Sequence, residues 1–540
     1  MKINASEALV KTLESVGVTT IFGIPGIHNL DIYKALTKSP IRHITTRHEQ
    51  GAGFMADGWA RSTGNVGTAL VISGPGLTNI LTPMAQALHD SVPMVVISSQ
   101  IPTSYIGLGA GFLHELKNST IMAQSAAKES IRITDPRDIQ QTVEKAYKTA
   151  ASGRPGPVHL EIPMDVLTMH SAFTTSPSKT EQTWYPELPE QEIKKAANVI
   201  KEAKNPVIIL GGGSKNASCE ALALAEKLQA AVIETCAGKG IVDDRHPLCL
   251  GARLHFPSVR KFIEEADVII AVGTELSPTD LWEKPLPKRG ILIQIDLDPA
   301  NFGRNTTADI GIRADARQAL LSILKELSEG PTIPHPEKKA LLANLKRQTK
   351  KELGSTTGMG EDLADMVDLI SAIREGLPEN GILAADMTGP AYIAISEYPT
   401  YFPSTFLHPV GFGTLGFAVP AAIGAFLANN DKPVAALTGD GGFQFTMAEV
   451  AVACQEKLPI PIIIWNDQGF GEIRRNEKAR DFCPLIGVDN PSPDLKLFAA
   501  SLGAKYQLAN SPRDVKDLMK SAFKESCPTI IEITPKEREH

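Results

Sequence analysis

Thr438-Gly439-Asp440-Gly441-Gly442, followed by Ile462-Ile463-Ile464-Trp465-Asn466-Asp467-Gln468-Gly469, is the stretch that decides how this 540-residue chain reads. The runs Val434 to Leu437 and Ile462 to Trp465 are short and apolar, and each stops at a turn rich in glycine or acid, as a buried strand does. Glycines placed there let the backbone approach a phosphate, and the N–H groups of a following helix start point at the anion. A hard divalent cation beside that phosphate needs oxygen ligands. Asp440 supplies a carboxylate at the end of one strand and Asp467 a second at the end of the next, with 467 − 440 = 27 residues between them. In a parallel sheet both lie on the side where ligands bind. Thr446 and Glu449 have capping-box spacing, which predicts a helix start there.

Strand-like runs of the same kind recur along the chain: Thr68 to Ile72, Met94 to Ser98, Val158 to Ile162, Val207 to Leu210, Val268 to Val272 and Ile291 to Ile295. They alternate with longer helical patterns, which predicts an α/β protein with buried parallel sheets. Ser171 to Glu190 and Gly330 to Gly360 read as linkers, the middle of the second being open to a connecting helix. The outer segments share a grammar. Gly74 precedes Pro93 by 93 − 74 = 19 residues, and Gly439 precedes Pro459 by 459 − 439 = 20. The close Gly156-Pro157-Val158-His159-Leu160-Glu161-Ile162-Pro163 is echoed by Cys527-Pro528-Thr529-Ile530-Ile531-Glu532-Ile533-Thr534-Pro535. Two related domains flanking a different one are expected.

Composition narrows the function classes. Apolar residues make up 43% and charged residues 21%, ample for several cores and no case for disorder. Lys+Arg 54 against Asp+Glu 61 gives −7, no bulk attraction to nucleic acid or an anionic membrane, so neither is an expected partner. No apolar run approaches a bilayer span, and Met1 to Val10 has no secretory h-region. Six scattered cysteines without CxxC fit a reducing cytoplasm.

Gly-Asp-Gly with Asn-Asp at this spacing resembles the diphosphate and magnesium motif of thiamine diphosphate-dependent enzymes. The resemblance extends along the chain. Phe22-Gly23-Ile24-Pro25-Gly26, Arg47-His48-Glu49-Gln50-Gly51-Ala52, Ser73-Gly74-Pro75-Gly76-Leu77-Thr78-Asn79 and Arg154-Pro155-Gly156-Pro157-Val158 resemble the pyrimidine-binding domain of the acetolactate synthase and 2-oxo acid decarboxylase family. Gly411-Phe412-Gly413-Thr414-Leu415-Gly416-Phe417 is similar to the segment gripping the aminopyrimidine from the other side. The resemblance implies a pyrimidine-binding domain over residues 1–170, a Rossmann-like central domain over 190–330 and a diphosphate-binding domain over 360–540.

The roles it implies follow the coenzyme. Glu49 hydrogen-bonds the pyrimidine ring and drives, through the cofactor, the proton transfer that opens C2 of the thiazolium. Gly26, Gly74, Asn79, Gly413 and Leu415 surround the ring, with Leu415 the wedge that bends the cofactor where many relatives carry Met. Thr388, Gly389, Gly439, Gly441, Gly442 and Phe470 would bind the diphosphate end. Asp440, Asp467 and the Gly469 carbonyl would hold Mg²⁺; relatives usually place Asn where Asp467 stands. Because Glu49 and Asp440 lie in different domains, the resemblance implies a site shared between subunits, with a homodimer as minimum and a homotetramer as the expected assembly.

The implied activity is decarboxylation of a 2-oxo acid through an enamine, and acetolactate synthase-type carboligation is the alternative. No paired histidines follow Gly111, and Ile27 stands where pyruvate decarboxylases place an acid, which argues against a plain pyruvate decarboxylase. Gly469 to Arg475 resembles decarboxylases acting on the 2-oxo acid derived from arginine, 5-guanidino-2-oxopentanoate, and Glu472 would pair with its cationic tail. His28 and His114 are the other candidate substrate contacts; His48 and His89 read as structural. Gly211-Gly212-Gly213-Ser214 follows a strand but lacks GxGxxG spacing, so a nucleotide-dependent dehydrogenase is the weaker alternative and FAD in the middle domain stays open. A cofactor-binding relative without turnover is disfavoured by Glu49.

Overall fold

A computed structural model describes residues 2–172, 185–282, 285–327, 335–429 and 432–535. Most of the linker predicted over Ser171 to Glu190 lies outside the described residues. The second linker stretch is dominated by one long helix, Pro336–Thr357, which opens on proline and closes on left-handed Gly358 (φ 68°). Lys-rich composition had masked its apolar stripe: Leu342, Leu345 and Leu353 are buried.

Three six-stranded parallel sheets carry the chain, with helices on their faces. In the first, the order is Arg42–Thr45, Thr20–Gly23, Gly67–Val71, Met94–Gln100, Pro157–Pro163, Glu129–Arg132. In the third it is Phe406–Leu407, Ile382–Ala385, Val434–Gly439, Pro461–Trp465, Thr529–Ile533, Lys505–Ala509. Numbered by chain position within each sheet, both orders read 2-1-3-4-6-5, so the two outer domains share one topology. The middle sheet, Cys249–Gly251, Ala231–Glu234, Pro206–Leu210, Val268–Val272, Ile291–Asp296, Ile310–Arg313, reads 3-2-1-4-5-6, the Rossmann order. Central strands are apolar on both faces because helices cover both: Ile462, Ile463 and Ile464 are all buried, in register with Ala436, Leu437 and Thr438.

The outer domains meet through two helices, Glu49–Thr63 of the first and Ala418–Ala428 of the third. Their backbones nearly touch. A Cβ on Gly58 would lie 2.1 Å from the Ala421 carbonyl oxygen, and one on Gly424 would lie 1.9 Å from that of Met55. Phe54 and Phe417 pack edge to face beside this crossing (centroids 5.6 Å). Arg61 lies buried between Asp57 and Asp90, and the other Asp90 oxygen accepts from Gly411 N–H at 2.7 Å, tying the third domain to the first.

The capping box predicted at Thr446 does not form. Thr446 Oγ1 donates to the Gly416 carbonyl at 2.8 Å, and the short turn Met447–Glu449 precedes the helix Val450–Gln455 without a side-chain cap. Glu449 instead accepts from backbone N–H groups of Arg47 and His48 in the first domain.

Candidate active site

Parallel order 2-1-3 creates a crevice where neighbouring strands lead away in opposite directions, at their carboxyl ends. Each outer domain places its candidate residues there. In the third domain, Ile382–Ala385 runs into Asp386, Thr388 and Gly389, Val434–Gly439 into Asp440, and Pro461–Trp465 into Asp467 and Gly469. In the first, Thr20–Gly23 runs into Gly26 and His28, and Gly67–Val71 into Ser73 and Gly74.

The third-domain group is assembled. Asp440 opens the helix Asp440–Thr446; its Oδ2 accepts from Gly469 N–H at 2.9 Å, while its buried Oδ1 has no partner. Burial and then the neighbouring Asp467 charge push the Asp440 carboxyl up, and burial raises Asp467 against the pull of Arg474 and Arg475. Two adjoining acids with an orphaned oxygen make a donor set that a hard divalent cation satisfies, and the Gly469 carbonyl lies 3.3 Å from where a Gly441 Cβ would sit. Gly469 has φ 147°, and a Cβ there would be 2.1 Å from the Val488 carbonyl, so only glycine can turn this corner. Asp440, Asp467 and Gly469 therefore fit Mg²⁺.

A diphosphate fits the same place. The helix Gly389–Glu397, with Thr388 at its N-cap position but making no side-chain cap, and the helix starting at Asp440 present backbone N–H groups, and Thr388 Oγ1 lies 2.9 Å from the Cβ position of Gly439. The Phe470 ring lies 3.0 Å from the Cβ position of Gly441, and Asp386 lies 3.3 Å from that of Gly442. Asp386 was not singled out from the sequence, although it lies two residues before Thr388. Buried and pushed up to about 6 by that burial, it accepts from Met387 and Gly416 N–H and from Thr438 Oγ1, holding the Gly411 to Phe417 segment against the strand ends. In that segment Gly413 is exposed and left-handed (φ 69°), and Leu415 is half-buried.

The first-domain group is built around Glu49, the first residue of its helix and 8% exposed. Its Oε2 accepts from Asn79 Nδ2 at 2.9 Å, and its Oε1 lies 3.5 Å from the Cβ position of Gly76. Gly26 packs on Ile72 and donates its N–H to Asn29 Oδ1. His28 Nδ1 meets Ser73 Oγ at 2.5 Å, and its ring lies 5.0 Å from that of His114. Burial first, and His114 second, hold His28 below its ordinary value, so it is neutral near pH 7. His114 has φ 68° and a buried, unpartnered Nδ1, and its backbone packs on Gly74. Glu115 is taken up by the backbone N–H groups of Gly109, Gly111 and Phe112. His48 caps the Glu49 helix through Gln50 N–H, and His89 packs on Phe412.

Glu472 is on the other side. It accepts from Arg475 Nη2 at 2.5 Å and from Asn476 Nδ2 at 2.9 Å, and Arg475 reaches within 3.6 Å of the Cβ position of Gly389. Among the described residues, no hydrogen bond or ion pair joins the Glu49, Asn79, His28, His114 group to the Asp440, Asp467, Gly469, Glu472 group within one chain.

The triple-glycine turn of the middle domain is filled by protein. Cβ atoms would meet Gly273 O at 2.2 Å from Gly211, Ala237 at 3.1 Å from Gly212 and Gly273 Cα at 2.9 Å from Gly213. The adjoining cavity, about 20 Å³ and lined by Glu234, Cys236 and Asp280, is closed on one side by the stacked rings of His255 and Trp282, 4.3 Å apart. The three glycines are thus required by the close approach of the neighbouring turn at Gly273 and of Ala237.

Comparison with known proteins gives three consecutive matches: the thiamine pyrophosphate enzyme N-terminal TPP binding domain over residues 3–126, the central domain over 193–323 and the C-terminal TPP binding domain over 388–533. A probable 2-ketoarginine decarboxylase of Pseudomonas aeruginosa is 36% identical over 535 residues, covering 98% of this chain and 94% of that protein. The acetolactate synthase isozyme 1 large subunit of Escherichia coli is 34% identical over 539 residues, covering 98% and 94%. A probable acetolactate synthase large subunit of Methanocaldococcus jannaschii is 33% identical over 551 residues, covering 98% and 92%.

Proposed function

The chain belongs to the thiamine pyrophosphate enzyme family, and from that premise we propose that it is a Mg²⁺-dependent decarboxylase of a 2-oxo acid with a cationic tail, of the 5-guanidino-2-oxopentanoate type. Bound thiamine diphosphate supplies the electron sink without which a 2-oxo acid cannot release CO2.

The residues divide the remaining work. Asp440, Asp467 and the Gly469 carbonyl hold Mg²⁺, and the helix starts at Gly389 and Asp440 neutralise the diphosphate with Thr388, Gly439, Gly441 and Gly442 around it. Phe470 closes that end against water. Gly413 and Leu415 seat the ring from the third domain; Glu49, Gly26, Gly74 and Asn79 seat it from the first. Glu49 carries the proton, and Asn79 fixes which carboxylate oxygen faces the ring. His28, with its neutral imidazole, and His114, with its unpartnered Nδ1, offer contacts to the substrate. The separation of the two groups within one chain supports a site completed by a second copy, hence a homodimer at least and a homotetramer as the working assembly. The domain limits 1–170, 190–330 and 360–540 and a cytoplasmic setting complete the reading.

The observation that carries the substrate class is Glu472. Its carboxylate already accepts a guanidinium, that of Arg475, at the edge of the diphosphate group. A substrate guanidinium can take one of its oxygens by exchange, which a neutral side chain cannot. The name of the Pseudomonas relative points to the same substrate. A second reading, carboligation of two 2-oxo acids, is favoured by the acetolactate synthases matched over almost their whole length. Incubating the holoenzyme with 5-guanidino-2-oxopentanoate and with pyruvate, and measuring CO2 and acetolactate, separates them. Strong acetolactate formation with no turnover of the cationic substrate would replace the first reading by the second.

A further inference from the structure

Glu449 is a buried acid that this chemistry leaves unused. It is 0% exposed, and it ends the run that begins at Asp440. Its carboxylate reaches into the first domain, where Oε1 and Oε2 accept from Arg47 N–H at 3.1 and 3.2 Å and Oε1 accepts from His48 N–H at 2.9 Å. Glu49 is the next residue. Gly51, one turn into the helix, leaves the space: a Cβ there would lie 2.3 Å from Glu449 Oε1 and 2.4 Å from its carboxyl carbon. Backbone N–H groups entering a helix have no intrahelical acceptor, so this carboxylate satisfies donors that water would otherwise take.

We infer that Glu449 is a positioning residue for Glu49, clamping from the third domain the two peptide groups that aim the first residue of the Glu49–Thr63 helix. The inference rests on the reading of Glu49 as the proton carrier. One run of chain then holds a metal ligand at its start and the aim of the proton-carrying carboxylate at its end. The groups facing Glu449 are the Arg47 and His48 peptides, the Glu49 carboxylate and, more weakly, the Arg47 guanidinium, which hydrogen-bonds Gln455 instead. The direct contacts of the clamp are therefore hydrogen bonds to backbone N–H groups.

Two readouts test it: amide hydrogen exchange at Arg47 and His48 in the cofactor-free protein, and exchange of the C2 proton of bound thiamine diphosphate into deuterated water followed by NMR. The variants are Glu449→Ala, Glu449→Gln, Gly51→Ala, which pushes Glu449 aside without removing its charge, and Glu49→Gln as control. Glu449→Ala and Gly51→Ala should expose both amides and slow C2 exchange by about tenfold to a hundredfold, the cost of misplacing a reacting group by about an ångström. Cofactor affinity, held mainly by the metal and diphosphate contacts, should change less than about threefold on the same argument, and Glu449→Gln, still an acceptor, should recover part of the loss. Wild-type C2 exchange in folded Glu449→Ala and Gly51→Ala, with exchange lost in Glu49→Gln, would overturn the inference alone. Unchanged exchange in Glu49→Gln would overturn the role of Glu49 instead. If Glu449→Ala does not fold, Gly51→Ala decides on the same two readouts.

Discussion

Asn79 donates its side-chain N–H to Glu49 Oε2 at 2.9 Å, joining the helix Pro75–His89 to the start of Glu49–Thr63 and fixing one oxygen of the carboxylate proposed to carry the proton. Asn79→Ala leaves that buried carboxylate one partner short, a loss of about 1–3 kcal/mol. We expect kcat to fall about tenfold to a hundredfold on that figure, with thiamine diphosphate binding by calorimetry nearly unchanged. Glu49→Gln should abolish turnover while sparing most of the affinity.

Asp440→Asn removes one of two adjoining carboxylates and should strip the site of Mg²⁺. Chelation of wild-type protein should have the same consequence, since the diphosphate then meets Asp467 without a cation between them. Calorimetry with the cofactor, with and without Mg²⁺, reads both; metal-independent binding in the wild type would contradict the ligand set.

Glu472→Gln keeps an acceptor but loses the charge that holds a guanidinium. A charge-assisted bond contributes about 1.5–3 kcal/mol, so kcat/KM for 5-guanidino-2-oxopentanoate should drop about tenfold to a hundredfold. A neutral 2-oxo acid should be turned over as before. Equal losses on both substrates would assign Glu472 to the architecture of its helix.

His159 is wholly buried between Ser98 Oγ and Ser130 Oγ, each at 2.8 Å, and burial lowers it to about 3. An unfolded histidine takes its proton near pH 6.5, so the unfolded chain binds protons first on acidification. This group's contribution is complete above pH 6.5 and is lost as the pH falls toward 3, at up to about 1.4 kcal/mol per pH unit. His43 and His408, both lowered to about 4 by burial, add slopes of the same sign. Buried acids raised by burial, Asp386 and Asp440 among them, contribute the opposite slope over the same range, so the test is a difference: in urea unfolding of the cofactor-free protein, His159→Gln should lose less stability, or gain more, than wild type between pH 7 and pH 5.

Gly424→Ala puts a methyl 1.9 Å from the Met55 carbonyl oxygen, backbone against backbone, where neither partner can rotate away. The helix pair between the outer domains must separate, and a loss of thermal stability together with weaker cofactor binding is expected. Gly→Ala in a free helix would instead stabilise by about 1 kcal/mol, so the sign of the change reads the contact.

Much of this was legible before any coordinates. The glycine and aspartate turns after apolar runs mark strand ends, and the repeated grammar from Gly74 to Pro93 and from Gly439 to Pro459 corresponds to the shared 2-1-3-4-6-5 order. The sequence suggests a cationic partner for Glu472, and the structure shows one within its own helix, Arg475. The triple glycine lacks nucleotide-motif spacing, and the sequence does not reveal that the turn at Gly273 and Ala237 pack so closely against it.

The sequence by itself determined the sheets, the strand-end turns and the types of residue at them, because strand periodicity, turn geometry and ligand chemistry depend on neighbours within a few positions. Only the tertiary structure decided the partners: which oxygen of Asp440 is left unpaired, where Asn79 points, and that Glu449 caps a helix starting 400 residues earlier rather than its own. A buried carboxylate goes to the unsatisfied donors that packing brings nearest, and that distance is set by the whole fold.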